Sequence, residues 1–232
     1  MKKLLIAIFL IITVITLLNI NVTYRRGIDY QVQSIKIPLY LKVLDFFDRH
    51  YNYKNLVKEI IGGSINEHEQ VDLIFKWVHY NIRRPPEGFP IVDDHVWYII
   101  VRGYGTSDQS NDVFTTLCNY AGIDAFFDFI YPLDKRSVLP LSFVKLNNSW
   151  SIFDSYNGVY FRNKEGNVAN LDDIRKGDWS VFNAAGITKQ NSDYVSYLEN
   201  IPPLSHIGLK RANIQSPLRR LIFQLKRWGV FR

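Results

Sequence analysis

Ser107 follows a glycine-bracketed turn, Gly103-Tyr104-Gly105-Thr106, and opens the segment Ser107-Asp108-Gln109 at the head of a helical pattern. A nucleophile at the first turn of a helix meets the positive end of the helix dipole, which favours its anion. For a thiol beside a histidine, that gain brings the pKa down from about 8.5 into the working range. A serine hydroxyl gains too little from the dipole alone and needs a base within hydrogen-bond reach. What Ser107 can do therefore depends on where the histidines are. The chain has His50, His68, His79, His95 and His206. His95, in Val92-Asp93-Asp94-His95 ahead of the turn, is the one expected near Ser107, either as a displaced base or as a loop histidine. Asp154, after Trp150-Ser151-Ile152-Phe153, offers a carboxylate, though turn chemistry explains it as well. Capping explains Ser107 and Asp108 without any reaction, since serine favours helix starts and an acid in the first turn complements the dipole.

The elements that must hold these residues can be read from periodicity. Lys36 to His50 and Asn52 to Gly63 have helical spacing, and the second run is stopped by Gly62-Gly63. Ser64 and Glu67, in capping-box spacing, precede a helix whose apolar face is Val71, Ile74, Phe75 and Val78. A proline-interrupted loop from Arg83 follows, and then His95 to Arg102, which fits a helix or a strand. From Asp108 to Ala121 the spacing of Phe114, Leu117, Cys118 and Ala121 predicts a helix buried on one face, ended by Gly122. Cys118 lies on that face and reads as a small buried hydrophobe. Beyond it the period becomes two. Residues 124–133, 141–146, 150–155 and 158–161 form aromatic and β-branched runs separated by turns, which predicts antiparallel strands. Helices followed by strands give an α+β fold with a central helix packed on an antiparallel sheet.

Gly105-Thr106-Ser107-Asp108-Gln109, Leu117-Cys118, Gly122-Ile123-Asp124-Ala125 and Trp150-Ser151-Ile152-Phe153-Asp154 together resemble the transglutaminase-like superfamily, itself similar in architecture to papain-like thiol enzymes. The resemblance covers residues 65 to 165 and is strongest to the branch found among envelope-polysaccharide genes, with its Gly-Tyr-Gly-x-Cys-Asp-Gln signature. It implies a nucleophilic cysteine at the position of Ser107, two residues after Gly105 and fifteen before Gly122. It implies a histidine eleven residues before Trp150, where this chain has Leu139. Asp154 matches the family aspartate. Ser107 and Asp154 are thus the vestigial catalytic positions, with Asp108, Gln109 and His95 as candidate binding residues. No cofactor or metal is implied, and the chain has no Walker, Rossmann or zinc-protease motif.

One cysteine in 232 residues rules out an internal disulfide framework and a multi-cysteine zinc site. The net charge of +6 is concentrated in residues 205–232, which hold seven cations and no acid and leave the remainder at −1. Nucleic-acid binding by the body is therefore not expected. Within this tail, Ser216-Pro217 starts an amphipathic helix with Leu218, Leu221, Ile222, Leu225 and Trp228 on one face. It suits an anionic membrane or docking on its own domain equally well. At the other end, Lys2-Lys3 precede an apolar run from Leu4 to Leu18 extended by Ile20 and Val22, read as an uncleaved signal-anchor with an extracytoplasmic body. The expected organisation is an anchor over 1–24, a helical extension over 25–63, a transglutaminase-like domain over 64–204 and a basic tail over 205–232. Two functions remain open. One is a catalytically degenerate binding or assembly component of the cell envelope, taking a peptide or glycan. The other is an active hydrolase or acyltransferase using Ser107 with an unorthodox base.

Overall fold

Val71, Ile74, Phe75 and Val78 recur every three to four residues and are all buried, so α3 (Glu67–Asn81) turns one face to the core. That face meets α5 (Ser107–Tyr120) through Phe75 and Phe114, whose ring centroids lie 5.6 Å apart edge to face. The computed structural model describes residues 2–26, 33–89, 91, 95–184, 189–202 and 204, with Ile222, Leu225 and Gly229 isolated beyond them. Apart from those three residues, the tail segment expected to form an amphipathic helix lies outside the described residues, as do His206, Asp93 and Asp94.

α5 packs on a five-stranded antiparallel sheet ordered as in the chain: β3 (Ala125–Ile130), β4 (Leu139–Leu146), β5 (Ser149–Asp154), β6 (Val159–Arg162) and β7 (Ser180–Asn183). The α+β reading therefore holds. Asn147 and Asn148 join β4 to β5 with φ of 48° and 63°, the left-handed pair that a two-residue hairpin demands and asparagine tolerates. Alternation splits the sheet into two faces. Val144, Leu146, Phe153 and Tyr160 face the core shared with α3 and α5. Leu141, Phe143, Ile152 and Phe161 face a second core, closed by α6 (Leu171–Arg175), Tyr194 and α7 (Val195–Leu198).

Two local expectations change and one open alternative is decided. The capping residue of α3 is Asn66 rather than Ser64, its Oδ1 accepting from the N–H groups of His68 at 2.9 Å and Glu69 at 3.3 Å. The stretch from His95 resolves as a helix, α4 (Val96–Arg102). Residues 21–26 and 33–38 are strands rather than helix. β1 (Asn21–Arg26) and β2 (Gln33–Pro38) pair antiparallel, from Asn21 opposite Pro38 to Arg26 opposite Gln33, so the boundary expected at residue 24 falls inside a strand. Pro38 ends β2 and stands at the cap of α2 (Leu39–Ile61), which runs unbroken through both predicted helical stretches.

α1 (Lys2–Leu18) has 17 residues, a rise of about 26 Å against a hydrocarbon core of about 30 Å. No helix among the described residues is long and apolar enough to cross a membrane. None of the residues of α1 is buried against the rest of the chain.

Candidate functional site

The turn ahead of α5 is tied down on both sides. Arg83 N–H donates to Gly103 C=O at 2.9 Å, and Gly105 N–H donates to Arg83 C=O at 3.0 Å. Gly103 takes φ +72° as the left-handed cap of α4. A Cβ at Gly105 would stand 3.0 Å from Gln109 Cβ and 3.2 Å from Ile99 Cγ2, so a side chain there would have to push both neighbours aside by a few tenths of an ångström. The capping residue of α5 is Thr106, in a capping box with Gln109. Gln109 Oε1 accepts from Thr106 N–H at 3.1 Å and from Arg102 Nη2 at 3.2 Å. Asp108 accepts from the Thr106 hydroxyl.

Ser107 is therefore the first residue of the helix and not its cap, and Asp108 and Gln109 are engaged in building the turn. Thr106→Ala should cost about 1 kcal/mol of unfolding free energy, and Ser107→Ala no more than about 0.5 kcal/mol. Paired thermal melts check this, and a larger loss at Ser107 would contradict the assignment.

One turn further on, Asn111 gathers the site. Its Nδ2 donates to Ser107 C=O at 2.8 Å and to Pro140 C=O at 3.1 Å. Its Oδ1 accepts from Ser142 Oγ at 2.6 Å and Ser155 Oγ at 3.3 Å, and the Ser155 hydroxyl also lies 3.1 Å from Ser110 Oγ. Ser110, Asn111, Ser142 and Ser155 are fully buried. A single amide thus binds the first turn of α5 to the start of β4 and the end of β5, bringing the neighbourhoods of positions 107, 139 and 154 to one end of the molecule.

The side chains at those positions do not converge. Leu139 packs with the second core, on the sheet face away from α5. Asp154 lies on that same face and is buried. Its Oδ1 accepts from Asn157 N–H at 3.1 Å, and its Oδ2 accepts from Asn157 Nδ2 and Tyr194 Oη, each at 2.8 Å. Burial holds the Asp154 carboxyl above the usual carboxylate range, partly offset by these hydrogen bonds. Ser107 Oγ has no hydrogen-bond partner among the described residues. His95 caps α4 from an exposed position, its ring centroid 6.0 Å from that of Tyr98.

The histidine that does reach this end is His79, which sequence reading left aside. Its Nδ1 donates to Ser155 C=O at 3.1 Å, which fixes the tautomer and leaves Nε2 with the lone pair. Beside it, Arg84 lies over the Tyr156 ring at 5.0 Å and donates to Asn157 Oδ1 at 3.2 Å. Among the described residues no cluster of histidine, cysteine and acidic side chains could hold a metal ion.

Fold and site together define an α+β protein in which a buried helix delivers its N-terminus to the end of an antiparallel sheet. Among solved structures, the chain is similar to a candidate cysteine protease from Cytophaga hutchinsonii, at 17% identity and a TM-score of 0.41, covering 56% of this chain and 46% of that one. It is also similar to a candidate protease from Parabacteroides distasonis, at 18% identity and a TM-score of 0.38, covering 60% of this chain and 27% of that one. A third, named as a TGase, matches at 9% identity and a TM-score of 0.37, covering 57% of this chain and 43% of that one. The chain spans less than half the length of each, and likeness at this level transfers neither a reaction nor a residue. No family model and no curated protein matches the chain.

Proposed function

We propose that this chain is a membrane-anchored, transglutaminase-like protein without catalysis of its own, acting as a binding or assembly component in cell-envelope polysaccharide biology. The observation that carries the catalytic part is the state of Ser107: its hydroxyl has no hydrogen-bond partner among the described residues. The polar side chains around it in the chain are engaged elsewhere: Asp108 with the Thr106 hydroxyl, Gln109 with Thr106 N–H and Arg102, and Ser110 and Asn111 with Ser142, Ser155 and the backbone. An alcohol without a base does not attack a carbonyl at a useful rate. The anchor is supported by α1, which is apolar on every side and none of whose residues is fully buried against the chain. At 17 residues α1 falls short of an ordinary span, so crossing requires a bilayer thinned around it, with Lys2 and Lys3 snorkelling to the headgroups. The polysaccharide context and the choice of a peptide or glycan ligand come from the sequence resemblance.

The second reading, a hydrolase or acyltransferase using Ser107, draws support from His79, which reaches Ser155 in the same polar network. Fluorophosphonate labelling of the purified full chain separates the two. The expected result is no labelling of the folded protein. Labelling that disappears in both Ser107→Ala and His79→Gln would establish the active reading and end the first.

A further inference from the structure

α2 buries one side in the protein and presents an apolar stripe on the opposite side. At 100° per residue, Arg49, Tyr53 and Val57 share the side that faces the core, and all three are buried. Tyr40, Leu44, Phe47 and Tyr51 recur at i, i+4, i+7 and i+11 on the reverse side. Leu44 is 60% exposed, Phe47 43% and Tyr51 59%. Such a stripe on a water-soluble surface forfeits the stabilisation of burying four large side chains. The same face then changes character: further along it carries Lys54 and Lys58, both exposed, with Lys54 Nζ 6.0 Å from the centroid of the Tyr51 ring.

The position of the stripe in the fold says what meets it. Leu39 N–H donates to Ile20 C=O at 2.9 Å, and Asn21 pairs with Pro38, so α2 starts where the apolar α1 stops. Lys42 Nζ donates to Thr23 C=O at 2.9 Å, fastening the first turn of α2 to β1. An apolar stretch beginning at the end of a lipid-soluble helix and grading into lysines is the pattern of a helix lying in the headgroup layer of an anionic bilayer. Tyr40 and Tyr51 suit that depth, with an apolar ring and a wet hydroxyl.

We infer that the outward face of α2, from Tyr40 to Tyr51, rests in the headgroup region of the membrane that holds α1, with Lys54 and Lys58 against anionic lipid. The inference rests on the reading of α1 as an anchor and goes beyond it, because a tether alone would leave the body free to swing. The α3–α5 core and the site at the start of α5 are then carried at a fixed height above the lipid.

Single cysteines introduced as Ile8→Cys, Leu44→Cys and Phe47→Cys, with Glu165→Cys as a water-facing reference, would be labelled with an environment-sensitive fluorophore. The full chain would be reconstituted in phosphatidylcholine–phosphatidylglycerol vesicles. The expected result is loss of fluorescence at positions 8, 44 and 47 when doxyl lipid is included, with iodide quenching only the reference. Lipid quenching at 8 together with iodide quenching at 44 and 47 would keep the anchor and overturn the inference. Escape of position 8 from lipid would remove the anchor itself and the inference with it. Protection of 44 and 47 from both quenchers would mean that protein covers the stripe, the chain's own tail or a second copy, and would overturn the inference as well. Two independent positions on the stripe keep the result readable if one variant folds poorly.

Discussion

Asn111→Ala is expected to lower the unfolding free energy by about 4 kcal/mol, with a fall in melting temperature of about 10 °C. The side chain satisfies two buried carbonyls, of Ser107 and Pro140, and accepts from two buried hydroxyls, of Ser142 and Ser155. Truncation removes the donor to the Pro140 carbonyl and the acceptor of the Ser142 hydroxyl in that fully buried layer, while the Ser107 carbonyl keeps its helical bond from the Asn111 N–H and Ser155 retains its contact with Ser110. Each stranded buried group costs about 1–3 kcal/mol, which is how one amide comes to matter as much as a large core residue. Asn111→Asp should do no better, since it sets a carboxylate oxygen against the same two carbonyls. Urea unfolding of the three proteins measures this, and a loss below 1 kcal/mol for the alanine variant would mean that water replaces the amide.

The second large effect centres on Asp154. Asp154→Ala leaves the Tyr194 hydroxyl and the Asn157 amide without their acceptor and should cost about 3 kcal/mol. The pH dependence carries more information. Burial raises the folded carboxyl above an unfolded value of about 3.9, so the folded state holds this proton more tightly. The stabilisation it gives is complete below the unfolded value and is lost as pH rises through the folded value. Between those limits the stability of the wild-type chain should fall with rising pH more steeply than that of Asp154→Asn. Tyr194→Phe removes a donor to the charged form and should steepen the fall further. Denaturation midpoints across this interval decide it, and identical slopes for wild type and Asp154→Asn would refute the buried carboxyl.

What the sequence made legible is the scaffold. The apolar faces of α3 and α5 and the period-two runs of β3 to β6 follow from local spacing, and the structure repeats them. Both misplaced helix starts carried a usable signal: Thr106 with Gln109, and Asn66 with Glu69, each have a capping residue and an acid or amide three places on. In both cases a serine close by looked equally suitable. The β1–β2 hairpin was hidden because Val22 continues the apolar run of α1, and strand pairing across residues 21 to 38 is not a local property. The site was legible only as positions. That Asp154 turns towards Tyr194, and that His79 reaches a carbonyl 76 residues away, depends on which side of the sheet each strand residue faces. A one-residue change of register reverses that assignment without altering composition or period.

Cys118, the only sulfhydryl of the chain, sits at 0% exposure among Val113, Phe114 and Leu117, and burial pushes its thiol well above the usual range. Neither oxidants nor electrophiles find a thiolate there, and no pairing with another sulfur is available. The folding free energy of this domain is accordingly indifferent to the glutathione poise around it. The same core forms in a reducing or an oxidising compartment, so redox poise places no constraint on where the chain resides.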